Sequence, residues 1–117
     1  MGGDMSQSAV IKTIGDLRDR GKLSGVDVAN VARVSKATVS RWSNGSAAPH
    51  PKTQLILSDL RYVVDRLSDF YSADETRLWL LARNDLLGGK TAIELIREDR
   101  TDEVLQAIER LDSLAYL

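Results

Sequence analysis

The sequence predicts an all-α protein: an N-terminal helix-turn-helix bundle, joined by a long helix to a small helical domain. Apolar residues recur at the three-to-four-residue spacing of helices, and no segment shows the two-residue alternation of a half-buried strand. The composition is that of a globular chain, with 117 residues, of which 43% are hydrophobic and 28% charged. We therefore expect one domain or two very small ones.

The first part, residues 1–52, is expected to form a helix-turn-helix DNA-binding domain. Its apolar spacing predicts a first helix that ends at Gly21 as the C-cap. A second helix over residues 24–32 and a third over residues 35–43 are separated by a short turn. The segment after them is rich in Asn, Gly, Ser and Pro, which predicts a loop.

The second part, residues 53–71, is expected to be a long linking helix, because its apolar stripe keeps the helical period for four turns. The third part, residues 72–117, begins with Ser72 and Glu75, a capping-box pair that predicts a helix reaching Arg83. Further helices are expected over residues 91–98 and from residue 101 onward.

The sharpest motif is a helix-turn-helix between Asp27 and Asn44. It has the small Ala29 where the two helices must cross, and Ser35 as a polar N-cap for the second helix. The apolar residues expected to hold the pair together are Val28, Val34, Val39 and Trp42. The outer face of the second helix is polar and is expected to read bases through Lys36, Ala37, Ser40 and Arg41, with Ser35 and Thr38 near phosphates.

The charge distribution supports a DNA-binding first part. Residues 1–52 carry a net charge of +4 and residues 53–117 a net charge of −5, which together give the −1 of the chain. The alternative is a helix pair that packs inside a bundle and never touches DNA. The motif resembles the helix-turn-helix of Xre-like and LacI-like bacterial regulators. Arg33 departs from the Gly of many such turns, so an irregular turn is expected there.

The residue types of several kinds of catalytic site are missing. The chain has no cysteine, and its only histidine, His50, lies between two prolines. The segment Gly88–Thr91 has some residues of a phosphate-binding loop, but it lacks the preceding strand and the full spacing. We therefore expect no catalytic residues, no metal ion and no cofactor, and we expect that the protein is not an enzyme.

The start of the chain lacks the basic-then-apolar order of a signal peptide. The longest apolar run, Leu78–Ala82, is too short to span a bilayer, so a cytoplasmic protein without a membrane partner is expected. The same run is apolar on every face of its helix. That helix is expected to be buried on all sides, or to be buried partly by a partner.

The run from Trp79 to Ile96 is similar to the toxin-binding domain of Xre/MbcA/ParS-type antitoxins. The shared order is a Trp, an Asn, a Leu-x-Gly, a basic residue, and a Thr that starts a helix ending in a Leu pair. With the helix-turn-helix, the resemblance covers about residues 26–117. Ala92 departs from a Pro that is common in the family, and the last residues differ from its frequent terminal Tyr-Gly.

The resemblance implies an antitoxin that silences a RES-type, NAD-consuming toxin and represses the shared operon. The implied partners are this toxin and operator DNA, in a homodimer or a larger toxin–antitoxin assembly. The implied toxin-binding residues are Trp79, Asn84, Leu87, Gly88, Gly89, Lys90, Thr91, Leu114, Tyr116 and Leu117. The apolar end of the chain either packs on its own core or inserts into the toxin. The alternative function is a stand-alone transcriptional repressor whose second half only dimerises.

Overall fold

The computed structural model describes residues 7–114, and over that range the fold is helical, with one isolated bridge and no strand. The predicted all-α class is confirmed. None of the helices in this range is long and apolar enough to cross a membrane. The helices are α1 (Gln7–Gly21), α2 (Gly25–Ala32), α3 (Lys36–Ser43), α4 (Pro51–Leu67), α5 (Ala73–Leu81), α6 (Ala92–Arg97) and α7 (Thr101–Leu114), with a 3-10 turn at Asp85–Leu87 between α5 and α6.

Short polar side chains start four of these helices. Before α2, α3, α5 and α6, a hydroxyl accepts a hydrogen bond from the backbone N–H three residues further on. These hydroxyls belong to Ser24, Ser35, Ser72 and Thr91. The capping box predicted for Ser72 and Glu75 is present, and Asp27 completes a second one at α2.

Helix α4 begins and ends earlier than residues 53–71. The exposed His50 is its N-cap, since the Nδ1 atom accepts a hydrogen bond of 3.3 Å from the Lys52 backbone N–H. Pro51 occupies the first turn, where its missing N–H would have had no helical partner. Helix α5 also ends earlier than expected, at Leu81 rather than at Arg83.

The expectation that Gly21 caps α1 is wrong. Gly21 is the last helical residue, and the left-handed conformation falls on Lys22, with φ of 52°. A Cβ atom added at Gly21 would lie 3.2 Å from a methyl group of Val64. At Gly21 the missing side chain therefore serves the close packing of α1 on α4 rather than the turn.

Helix α4 carries the centre of the core. It packs against α1 and α2, which precede it in the chain, and against α6 and α7, which follow it. Its fully buried side chains are Leu57, Leu60, Val63, Val64 and Leu67. These belong to one hydrophobic cluster that includes residues from every α-helix. The division of the chain at residues 52 and 71 stays a prediction.

The turn of the helix-turn-helix is regular, so the expected irregularity at Arg33 is wrong. Arg33 adopts the left-handed conformation itself, with φ of 59° and ψ of 47°, and its backbone N–H donates to the Ala29 carbonyl. The Val34 backbone N–H donates to the same oxygen at 3.0 Å. This geometry gives a carbonyl group at the end of α2 its hydrogen-bond partners. The left-handed conformation is nevertheless sterically unfavourable for a residue that carries a Cβ atom.

Replacing Arg33 with Gly is expected to raise the free energy of unfolding by about 0.5–1 kcal/mol, because glycine adopts this conformation without steric cost. The Arg33 side chain is exposed, so its removal leaves no buried gap. Urea unfolding measures the change. The matched control is Arg33→Ala, which keeps the Cβ atom and should not stabilise the protein. Equal stability of the two variants would contradict the prediction.

Candidate functional site

Helix α3 has one buried side and one polar side. Val39 and Trp42 are only 2% and 4% exposed and attach α3 to the core. On the opposite side, five of the six predicted DNA-contact residues are exposed and Thr38 is half-buried. The exposed five are Ser35, Lys36, Ala37, Ser40 and Arg41. The structure therefore brings the six residues together on one side of α3 and at its N-cap.

Hydrogen bonds along α3 hold the Arg41 side chain in one orientation. Its Nη2 atom donates to Thr38 Oγ1 at 3.0 Å, and this hydroxyl lies 2.9 Å from the Ser35 hydroxyl. The Ser35 hydroxyl also accepts from the Thr38 backbone N–H. Because the guanidinium is already ordered, less conformational freedom is lost when it contacts a ligand.

An ion pair joins the start of α2 to α5. Arg77 donates through Nε to Asp27 Oδ2 at 3.2 Å and through Nη2 to Asp27 Oδ1 at 3.1 Å, which is the bidentate geometry. Burial acts to raise the pKa of the Asp27 carboxyl. Hydrogen bonds from the Ser24 backbone N–H and from Arg77 outweigh this effect and hold that pKa below its ordinary value.

The lowered pKa of Asp27 predicts a pH-dependent contribution to stability. The carboxylate stabilises the fold at pH values above its unfolded pKa, and this contribution is lost as the pH falls through the lower folded pKa. Replacing Asp27 with Asn is expected to lower the free energy of unfolding by about 1–2 kcal/mol at pH 7. The difference from wild type should shrink below about pH 4, where the carboxyl of an unfolded chain takes up its proton.

Urea unfolding at pH 7 and at pH 3 measures this difference. The control is Asp69→Asn at an exposed carboxyl in the turn after α4, where little change is expected at either pH. An Asp27→Asn variant that stays equally destabilised at both pH values would contradict the electrostatic explanation.

A second arginine reaches the other end of α2. Arg97, the last residue of α6, donates through Nε to the Val31 carbonyl at 3.2 Å and through Nη2 to the Asn30 carbonyl at 3.0 Å. The carbonyl groups in the last turn of a helix have no partner within that helix, so Arg97 satisfies two of them. Sequence analysis missed this contact, because no local pattern marks two residues that are more than 60 positions apart.

The segment from Asn84 to Lys90 is a closed loop. The Asn84 backbone N–H donates to the Lys90 carbonyl at 3.1 Å, and the Gly89 N–H donates back to the Asn84 carbonyl at 2.9 Å. Gly88 and Gly89 have φ values of 67° and 82°, which favour glycine. Leu87 is buried and anchors the loop, whereas a Cβ atom added at either glycine would meet no atom within 4 Å. The glycine side of the loop is therefore open.

Lys90 and Thr91 attach this loop to α6. The Thr91 hydroxyl caps the first turn of α6. Lys90 precedes α6 and Glu98 directly follows it. The Lys90 ammonium lies 3.1 Å from a carboxylate oxygen of Glu98, so this ion pair joins the two ends of the helix. Hydrogen bonds from Lys90 and from Arg100 lower the pKa of Glu98. Two of the predicted toxin-binding residues therefore also hold α6 in its place.

The remaining predicted toxin-binding residues lie in different surroundings. Trp79 is half-buried and packs against the core. Leu114, at the end of α7, is 60% exposed. Tyr116 and Leu117 lie outside the described residues.

Three large apolar side chains are exposed on α5 and in the 3-10 turn. Leu78, Leu81 and Leu86 are 65%, 38% and 39% exposed, while Leu80 is fully buried. Of the two expected alternatives, burial on all sides within the chain is therefore wrong, and partial burial by a partner stays a prediction. Leu78 and Leu81 are neighbours on the helix surface because they are three residues apart. Leu78, Leu81 and Leu86 are called the exposed leucines below.

A cleft of about 440 Å³ lies between the start of α4 and the end of α6. Its charged lining mixes both signs and comprises Lys52, Asp59, Arg97, Glu98 and Asp99. Among the described residues, no cluster of three or more His, Asp or Glu side chains could hold a metal ion.

Comparison with known proteins gives the family. No protein-family model matches the chain. A probable mycobacterial cidal antitoxin of Mycobacterium tuberculosis is 36% identical over 92 residues, which are 79% of this chain and 78% of that relative. The chain belongs to the mycobacterial cidal antitoxin family. The family resemblance predicted from the sequence is thereby confirmed.

Further relatives of this family agree. The cidal antitoxin MbcA of Mycobacterium tuberculosis and Mycobacterium bovis is 25% identical over 107 residues, covering 92% of this chain and 95% of MbcA. The fold is also similar to that of a chain in the crystal structure of the M. tuberculosis MbcT-MbcA toxin-antitoxin complex. The TM-score is 0.74 at 26% identity, over 85% of this chain and 89% of that chain. The sequence relatives are named antitoxins.

Proposed function

We propose that this protein is an antitoxin with two ligands. Its C-terminal half binds and neutralises a partner toxin of the RES type, which consumes NAD, and its helix-turn-helix represses the operon that the two proteins share. The observation that carries the proposal is the likeness to a chain of a toxin-antitoxin complex, which extends over 85% of the protein. Both ligands place the protein in the cytoplasm.

The toxin-binding surface is proposed to combine the exposed leucines, the loop from Asn84 to Thr91 and the C-terminal end of α7. Leu78 and Leu81 are adjacent exposed apolar side chains on the surface of α5, and such a pair suits a site of protein contact. Residues 53–117 carry a net charge of −5, which suits a basic cleft on the partner. Neutralisation is then steric, because the helices and the end of the chain cover the route into the NAD site of the toxin.

The DNA-binding surface is proposed to be the polar side of α3. Arg41 is the candidate for a bidentate contact with guanine, and Lys36 extends the positive charge along the same side. A single α3 offers few contacts to DNA. Tight binding is therefore expected from two copies of the chain on a palindrome, with half-sites about one helical turn apart.

The test is co-expression with the toxin encoded beside this protein, followed by co-purification, a growth assay and a gel-shift assay on the promoter DNA. Retention of the toxin, protection of the cells and a specific DNA shift together support the proposal. DNA binding without toxin binding would support the alternative, a stand-alone repressor whose C-terminal half only dimerises. Toxin binding without a specific DNA shift would contradict the repressor part.

A further inference from the structure

We infer that α6 couples the loop from Asn84 to Thr91 to the helix-turn-helix, and that Arg97 is the positioning residue through which it acts. A partner bound at the loop would then change the affinity for DNA, and DNA would change the affinity for the partner by the same factor. The inference rests on the proposed function for the identity of these two ligands. The coupling itself is a property of the chain alone.

Helix α6 is a short rigid connection between the two sites. It begins directly after Thr91, the last residue of the loop, and it ends at Arg97, the residue that contacts α2. Six residues make it about 9 Å long. Its buried side chains are Ala92, Ile93, Leu95 and Ile96. A helix packed this tightly cannot shift at one end without moving the other.

The loop also reaches the far end of α6 directly. Lys90 pairs with Glu98, which follows Arg97 in the chain, at 3.1 and 3.2 Å. Arg100 donates to the same carboxylate at 3.1 Å. A partner that draws Lys90 away would remove one support of the segment that carries Arg97.

The contact made by Arg97 lies where it affects the geometry of the motif. Asn30 and Val31 lie in the last turn of α2, which ends at the left-handed Arg33 in the turn that leads to α3. Arg77 of α5, the helix that carries two of the exposed leucines, holds the start of α2 through Asp27. Helix α2 is thus held at both ends by the half of the chain proposed to bind the toxin.

Amide hydrogen exchange on the full chain tests the coupling without either ligand. Thr91→Ala removes the cap at the loop end of α6, and Arg97→Gln removes the two hydrogen bonds at the other end. Each is expected to speed exchange in the last turn of α2 by at least about fivefold. The double variant should exchange no faster there than Arg97→Gln alone, because both changes act through one path.

Two matched controls separate coupling from general destabilisation. Thr101→Ala removes a threonine hydroxyl that acts elsewhere, since it donates to Asp59 Oδ2 of α4 at 2.9 Å, and Arg110→Gln replaces an exposed arginine of α7. Arg97→Lys keeps the positive charge but lacks the paired Nε and Nη2 donors of the guanidinium. It should restore part of the protection against exchange in α2 that Arg97→Gln loses. The inference is overturned if Thr91→Ala and Arg97→Gln speed exchange in α2 no more than these controls do, or if their effects simply add.

A second measurement uses the two ligands. The affinity for one operator half-site is measured with and without saturating toxin, in wild type and in Arg97→Gln. The toxin should change the wild-type affinity by at least about fivefold, and this factor should fall toward one in the variant. An unchanged factor in the variant overturns the inference. If wild type binds no toxin or no operator, the proposed function fails, and the exchange result decides the inference alone.

Discussion

Replacing Leu78 with Glu is expected to reduce the affinity for the partner toxin at least about 100-fold. If the exposed leucines contact the toxin, the carboxylate would be buried in the complex without a partner, which costs about 3 kcal/mol or more. The fold should not suffer, because Leu78 is 65% exposed in the chain alone and a charge there remains solvated. Calorimetric titration of the purified toxin measures the affinity, and a thermal melt measures the stability.

The chain offers a matched control for this substitution at Leu55. Its side chain is 68% exposed, and it lies on α4, outside the proposed toxin surface. Leu55→Glu makes the same chemical change at the same degree of exposure and should leave toxin affinity unchanged. Equal loss in the two variants would indicate a general effect of the added charge. Full protection of cells by Leu78→Glu would remove α5 from the toxin interface.

The sequence predicts most of the helix starts because the signals are local. A Ser or Thr before a periodic segment satisfies a backbone N–H within one turn, so the helix starts at Ser35, Ser72 and Thr91 could be predicted without knowing the fold; Glu75 and Glu94, three residues after Ser72 and Thr91, strengthen the signal at those two. Gly21 shows where this fails. A glycine beside a helix end predicts a cap, but the space that α4 leaves for it is a tertiary property.

The contacts that join the two halves could not be predicted. Asp27 and Arg77 are 50 positions apart, and Arg97 lies 66 positions from Val31. Charged residues at such separations pair only after the core has fixed the distance between their helices. The exposure of Leu78 could not be predicted either, because a run that is apolar on all sides does not reveal which side faces the core. The helix-turn-helix motif was readable from sequence because its parts lie within 18 residues.

Replacing Arg41 with Ala is expected to reduce operator affinity about tenfold to a hundredfold. A bidentate contact from arginine to guanine contributes about 1–3 kcal/mol of discrimination. The structure favours Arg41 for this contact because Thr38 already orders its guanidinium at the exposed side of α3. Its loss should leave toxin affinity and thermal stability unchanged, since the hydrogen bond made by the side chain lies within α3.

Fluorescence anisotropy with the operator, at fixed salt, measures this loss, with Arg110→Ala as the control for removal of an exposed arginine. A contact to one base can be distinguished from a contact to phosphate by changing that base in the operator. When the contacted guanine is replaced in the operator, wild type should lose about the same factor as Arg41→Ala loses on the intact site. The variant should then lose nothing further, because the two changes remove one interaction. If Arg41→Ala instead weakens binding to every DNA sequence equally, Arg41 contacts the phosphate backbone, and base recognition belongs to Lys36 or Ser40.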